Sequence, residues 1–513
     1  MSVPRKSLAY NSLFSLIDKA YTAISNLLLI PFIVHRLGMD VYGAWVILVT
    51  VSSYFGLGNC GISFSFEKYI AQYNATSDKR SLRQFIATAF YGSLALGLAV
   101  FLISLAFAPT VFNLLLKTDS FQHYKYLFVL LMGSISLSLV SNIFTAIPRG
   151  MQRYDFFSLI SISGRTVYNV LVIVFCIKGR GILSMIIGQY GLIIVTLLLS
   201  IVVTRKFFKY LNLSPGYFSW QTFKSMFDFG MKIQASMLSV IITQSFDKLI
   251  IAHFAGLRFV AVYDIGSRLV AFLKDLPTFL YVSITPRSSE LYAVDKGENV
   301  RTLYLTGTKY LSIICLGLAS MLIPVSREIL SVWMRVPIDP LSIYVMQVLL
   351  FSMLFNSTTG LGTSIGIGIG RPGDIARSNI VMAIVNIICS SALFFVFGAK
   401  GIVWGTAAGL IISTFIYYLL LNSSLGVNNK RFGIEAFFMP CAVNAVITII
   451  LMIGMNALSA SNIIPFGNIG SKIIIITLNI SLVLIASFIA YVALKFITVD
   501  ELRKNMPFLF KRK

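Results

Sequence analysis

Eleven ionisable side chains stand inside stretches of this sequence that are otherwise apolar: Asp18, Lys19, Arg165, Asp228, Lys232, Asp247, Lys248, Asp264, Arg268, Lys274 and Asp275. In hydrocarbon each would cost at least about 2.5–3.5 kcal/mol on insertion scales, so a charge retained there must face a partner or a wet cavity. Spacing sorts them. Asp228 with Lys232, and Asp264 with Arg268, are four residues apart, which puts each pair on one helix face where the charges neutralise each other. Asp18-Lys19, Asp247-Lys248 and Lys274-Asp275 are neighbours that point about 100° apart around a helix, so they need partners on other elements, or water. Arg165 has no acid within a helical turn. A guanidinium so placed suits a phosphate, which it can grip with parallel N–H donors. Backbone carbonyls and the nearby Tyr168 would hold it equally well. The set contains six cations and five acids, a balance that tilts only slightly toward an anionic passenger. Lys19, Arg165, Lys232, Lys248, Arg268 and Lys274 are thus the candidates for contacting an anion. Asp18, Asp247 and Asp275 are the candidates for holding a coupling proton or cation.

The elements that must position these residues follow from composition. With 57% hydrophobic and 12% charged residues in 513, and a mean hydropathy of +0.84, the chain has too little polar surface to enclose a water-soluble core. About fourteen segments reach the roughly 20 apolar residues needed to cross a bilayer. Their centres lie near Leu27, Leu48, Leu96, Leu137, Val170, Ile193, Leu238, Phe272, Leu316, Leu354, Ile387, Ile411, Ile447 and Leu482. They lack the ten-residue alternation of an outer-membrane barrel, so the expected class is an all-α polytopic membrane protein. The 42 Lys and Arg exceed the 19 Asp and Glu, but they are scattered through short loops and form no nucleic-acid patch. Placing both termini in the cytoplasm puts about 25 cations on inner loops and tails and about 10 on outer loops, the asymmetry of the positive-inside rule. The basic tail from Lys504 to Lys513 then lies against anionic membrane lipids.

The chain also repeats itself. IPRGMQRYDF from Ile147 and GIGRPGDIARSN from Gly368 each lead into an apolar segment and then into KGRGI from Lys178 or GAKGI from Gly398. HRLGMDVYGAW from His35 matches HFAGLRFVAVYDIG from His253, and Glu67 matches Glu290, in the same order at a nearly constant offset. Two copies of six spans each enter the membrane in the same direction, which predicts a pseudo-two-fold axis along the membrane normal and a cleft between lobes. The expected organisation is an N-terminal lobe over 1–205, a cytoplasmic linker over 206–225, a C-terminal lobe over 226–421, and two additional helices with the basic tail over 422–513.

Several familiar patterns carry no chemistry here. Gly368, Gly370 and Gly373 spell a dinucleotide-type glycine motif, but a membrane span precedes it where a strand is required, so a tight turn is expected. Gly401, Gly405 and Gly409 have the spacing of close helix packing. The five cysteines lack paired spacing, and with His35, His123 and His253 as the sole histidines there is no support for a metal site, a catalytic nucleophile or a cofactor.

The stretch from Asn26 through LLLIPFIVHRLGMDVYGAW, the LGNCGI segment at Leu57–Ile62, the loop from Glu67 to Arg83, and FDKLIIAHFAGLRFVAVYDIGSRL from Phe246 resemble the polysaccharide exporter family, which includes O-antigen flippases. That family sits in a superfamily with multidrug and toxin extrusion (MATE) transporters and lipid II flippases. The resemblance implies a MATE-like fold and a protein of the bacterial inner membrane. It also implies a lipid-linked oligosaccharide substrate, carried on undecaprenyl pyrophosphate and turned over by alternating access around a cationic cavity. A complex with a glycan polymerase or chain-length machinery would fit that role. A multidrug antiporter would share the fold but present acids to a cationic drug. A membrane-embedded glycan polymerase or ligase would need a large outer loop, and the longest here, near Pro324 to Leu341, is short and holds only Glu328 and Asp339 as acids.

Overall fold

The computed structural model describes residues 8–56, 62–76, 78–115, 121–208, 213–281, 284–295, 297–460, 469–494 and 496, and among these there are helices and no strand. Every expected span centre falls on a helix. Among the described residues, eleven segments are long and apolar enough to cross a membrane. The remaining three centres lie near Leu48 on an 18-residue helix, near Phe272 on a 17-residue helix, and near Leu238 on a 35-residue helix that carries several charges. The chain is a multi-pass membrane protein.

The first compact unit, Met1–Asp264, holds α1 (Leu8–Leu37), α2 (Met39–Gly56), α3 (Ile62–Ala75), α4 (Lys79–Leu115), α5 (Phe121–Gly150), α6 (Tyr154–Ile177), α7 (Leu183–Phe207) and α8 (Trp220–Phe254). α9 (Leu257–Leu273) begins in it. α1 packs on α6, α6 on α7, and α5 on α3, α4 and α7; α8 packs on α2, α3 and α4. Packing thus groups α8 with the helices of the first copy.

The second compact unit, Ile265–Lys513, continues α9 into α10 (Thr278–Tyr281), α11 (Ile284–Asp295), α12 (Glu298–Leu322) and α13 (Ser326–Met334). It goes on through α14 (Pro340–Ser357), α15 (Gly360–Gly368), α16 (Pro372–Phe397), α17 (Ala399–Leu425) and α18 (Asn429–Phe432). A π-helical turn at Gly433–Phe438 leads into α19 (Met439–Ala460), and α20 (Ile469–Ala493) follows. The closest packing is between α16 and α17, where Gly401 and Gly405 let backbones touch: a Cβ on either would collide with the Leu393 carbonyl or the Ser390 backbone. The two additional helices are tied to α12 through polar bonds. Thr448 Oγ1 donates to Ser320 Oγ at 2.9 Å, and Asn479 Nδ2 donates to the Met321 carbonyl at 2.6 Å.

Burial is inverted relative to a soluble protein. Leu482 and Ile489 on α20 are 54% and 60% exposed, whereas Ser104, Ser134 and Ser200 are fully buried. Lipid leaves apolar surface at no cost and offers polar groups no partner, so the polar side chains turn inward.

The repeated motifs become repeated turns. Gly38 and Gly256 both adopt positive φ, as do Gln152 and Gly370 at the same offset, and Gly179 and Gly398 lie within one residue of it. The glycine motif at 368–373 is the turn between α15 and α16, as its sequence context required.

Candidate functional site

Two polar clusters lie at membrane depth in the first unit. One is the seam between α1 and α6. Asn11, Asp18, Tyr21 and Ser25 recur along α1 at spacings of seven, three and four, and Ser158, Ser161, Arg165 and Asn169 recur along α6 at three, four and four. These are one-face spacings, so the seam is polar along its length. Ser158 Oγ donates to the Phe14 carbonyl at 2.9 Å, and the Tyr21 and Thr166 hydroxyls lie 2.6 Å apart. Asp18 lies beside Ser161 and sits in the fields of Arg165, Lys19 and Arg149. The Arg165 guanidinium lies 5.4 Å from the Tyr168 ring centroid, near the middle of α6. Asn11 Oδ1, Asp18 Oδ1, Arg165 Nε and Asn169 Oδ1 are all buried with no hydrogen-bond partner among the described residues. Such atoms, spread along two facing helices, mark places that can receive water or a polar ligand.

The second cluster joins α2, α8 and α9. Asp264, fully buried, accepts from Lys248 Nζ and from the Tyr42 hydroxyl, both at 2.6 Å. Asp247, 1% exposed, accepts from the Tyr263 hydroxyl at 2.5 Å. The adjacent Asp247-Lys248 pair thus finds its partners on other helices, as its geometry demanded, but those helices belong to the same unit. Lys248 is already engaged by a buried carboxylate, which removes it as an open anion contact.

The remaining candidates differ in exposure. Lys19, beside Asp18, is exposed. Asp228 is exposed, and the side chain of Lys232 lies outside the described residues. Arg268 and Asp275 are exposed and Lys274 is half-buried, all in the second unit. Lys274 and Asp275 do not continue a helix: α9 ends at Leu273, and the turn through Pro277 is closed by Leu276 N–H to the Leu273 carbonyl at 3.2 Å and Thr278 N–H to the Asp275 carbonyl at 3.1 Å. Pro277 has no N–H for a helical ladder, so the span breaks beside its charges. Irregular backbone at this depth survives only within protein or beside water.

At one end of the first unit Arg149, from the repeated motif, pairs with Glu67 at 2.8 Å and covers the Phe157 ring at 4.8 Å. In the second unit the matching Glu290 pairs with Arg287 at 3.2 Å. Charge counting finds Asp18 and Arg165 but not Asn11, Tyr21, Ser161 and Asn169. Their signal was available as the helical periodicity of neutral polar residues around those charges.

The profile of a family described as polysaccharide biosynthesis protein matches residues 37–334. A Shigella flexneri protein assigned as an O-antigen transporter is 23% identical over 356 residues, covering 68% of this chain and 82% of its own length. Among solved structures, the lipid II flippase MurJ in an inward closed conformation superposes with a TM-score of 0.68 at 15% identity, over 94% of this chain and 99% of its own. An inward-facing multidrug MATE transporter superposes with a TM-score of 0.63 at 18% identity, over 83% and 95%. At these identities the structural likeness speaks for the fold.

Proposed function

The chain belongs to the polysaccharide biosynthesis protein family, and from that membership we propose that it is a flippase for a lipid-linked oligosaccharide. The substrate would be an O-antigen or capsule-type repeat unit on undecaprenyl pyrophosphate, turned from the inner to the outer leaflet of the bacterial inner membrane. The two six-span sequence repeats serve as like-oriented lobes that rock about the substrate, with both termini cytoplasmic. The sugar head cannot cross hydrocarbon unaided, while the polyprenyl tail can remain in lipid, so the protein's task is to shelter the head and its pyrophosphate.

The observation that carries this reading is the α1–α6 seam, where a mid-membrane guanidinium has an unsatisfied Nε and three unpartnered oxygens lie on the same helices. Asp18 lies within the field of Arg165. An arriving pyrophosphate offers Arg165 a stronger, bidentate partner and draws in Lys19 as well. Asp18 then loses its cation and takes up a proton or a metal cation, which couples passage of the anion to an ion gradient. Arg268, Lys274 and Lys232 remain candidates for later contacts along the route, and Asp275 and Asp247 for ion coupling.

The test is complementation of a deletion strain that accumulates lipid-linked oligosaccharide on the cytoplasmic leaflet. At normal expression, Arg165→Ala and Lys19→Ala should each abolish surface glycan. Unchanged glycan in both would overturn the assignment. Asp18→Asn should retain binding but lose its dependence on the ion gradient.

A further inference from the structure

We propose that the start of α4 and the segment before α8 form a binding pocket for the phosphate of an anionic phospholipid headgroup. A cavity of about 340 Å³ is lined there by Lys79, Arg80, Arg83 and Tyr217. Arg83 Nη1 donates to the Tyr217 hydroxyl at 2.9 Å, and the guanidinium lies 5.2 Å from the same ring's centroid, so one wall of the pocket is fixed in place. The segment carrying Tyr217 is strapped to α4 along its length. The Tyr91 hydroxyl donates to the Leu213 carbonyl at 2.7 Å, and Ser219 N–H donates to Thr88 Oγ1 at 3.0 Å. Phe223 fills the space that a side chain at Gly92 would occupy.

Charge selects an anion. Asp78 borders the pocket, but its carboxylate accepts from the Ser81 N–H at 3.0 Å and caps α4. That bonding, chiefly from Ser81, holds its pKa below the usual carboxylate range. It stays ionised and leaves the pocket with a surplus of positive charge from Lys79, Arg80 and Arg83. The helix end is already capped, so side chains supply the attraction.

Depth selects a lipid over a soluble phosphate. Trp220 and Phe218, beside the pocket, are 69% and 40% exposed, and Trp220 stacks on Phe223 at 5.4 Å. Exposed aromatic rings at the end of a span sit at the headgroup level of a bilayer. α4 runs from Lys79 directly into a span. The volume is at the small end of the roughly 300–1,000 Å³ of ligand pockets, which suits a phosphodiester with its glycerol. This inference rests on the membrane fold alone, so its fate is independent of the flippase reading.

The test uses the full chain in nanodiscs of phosphatidylcholine doped with phosphatidylglycerol, with bound lipid counted by native mass spectrometry after release. Arg80→Gln/Lys79→Gln should weaken phosphatidylglycerol retention roughly 25-fold, at about 1 kcal/mol per cation, with phosphatidylcholine unaffected. Arg80→Gln alone, on an exposed side chain, should give about a fivefold loss and guards against a folding defect in the double variant. Equal retention by wild type and both variants would overturn the site. Displacement of phosphatidylglycerol by millimolar inorganic phosphate would show a soluble-anion site and overturn the lipid assignment.

Discussion

The Lys248–Asp264 pair permits a quantitative test of how this membrane interior treats charge. The ammonium is 2.6 Å from a carboxylate with no solvent exposure, and Lys248 itself is 14% exposed. Removing one partner of a buried pair costs about 3–5 kcal/mol, because the survivor keeps its desolvation penalty without its attraction. An ordinary aspartic acid can escape that penalty by taking a proton, which at pH 7 costs about 4 kcal/mol. Lys248→Met should therefore destabilise the first unit by about 3–4 kcal/mol at pH 7, and the loss should shrink to about 1.5 kcal/mol at pH 5, where protonation is cheaper. Lys248→Met with Asp264→Asn removes both charges yet leaves an acceptor for the Tyr42 hydroxyl, so it should lie within about 1.5 kcal/mol of wild type. Equilibrium unfolding in mixed micelles at the two pH values, run as a double-mutant cycle, measures the coupling. If single and double variants lose the same stability, or the single variant's loss does not change with pH, the ion pair is not what holds these helices together.

Two further outcomes follow from packing and burial. Gly405→Leu should abolish accumulation of folded protein, because a Cβ alone already collides with the Ser390 backbone on α16, and overpacking backbone against backbone leaves no rotamer to relax into. Expression and gel-filtration profiles check it, with Gly454→Leu, which meets nothing nearby, as the control that should behave as wild type. Glu328, 5% exposed on α13, has its acidity weakened chiefly by burial, with Arg327 and Lys472 opposing. Its carboxyl holds a proton more tightly folded than unfolded, so that contribution is full below the ordinary value of 4.5 and is lost as pH rises through the raised value. Glu328→Gln should flatten the fall in melting temperature above pH 4.5; an unchanged slope would remove Glu328 as its cause.

Much of the fold was legible because a bilayer imposes strict rules on composition. A helix must be about 20 residues long and apolar, so all fourteen expected centres fall on helices even where Asp247, Lys248 and Asp264 dilute the hydrophobic signal. The repeat was legible because turns need particular backbone angles: Gly38 and Gly256 keep positive φ in both copies. The site was legible in part. Adjacent Asp247 and Lys248 were expected to look beyond their own helix, and they do. Asn11, Ser161 and Asn169 are legible only as a periodic polar face around Asp18 and Arg165, because a single neutral polar residue is common in any helix.

From sequence alone came the solvent, the helical class, the twofold repetition and the kinds of side chain that hydrocarbon would tolerate only with partners. All of these depend on local length, spacing and transfer cost. The tertiary structure decided which partners were chosen. It placed Lys248 against Asp264 sixteen residues on, broke a span at Pro277, carried α8 into the first unit, and set Arg165 against α1 with an unsatisfied nitrogen. Pairings of this kind depend on how helices come together in three dimensions, and spacing along the chain constrains one helix face without saying which neighbour it will meet.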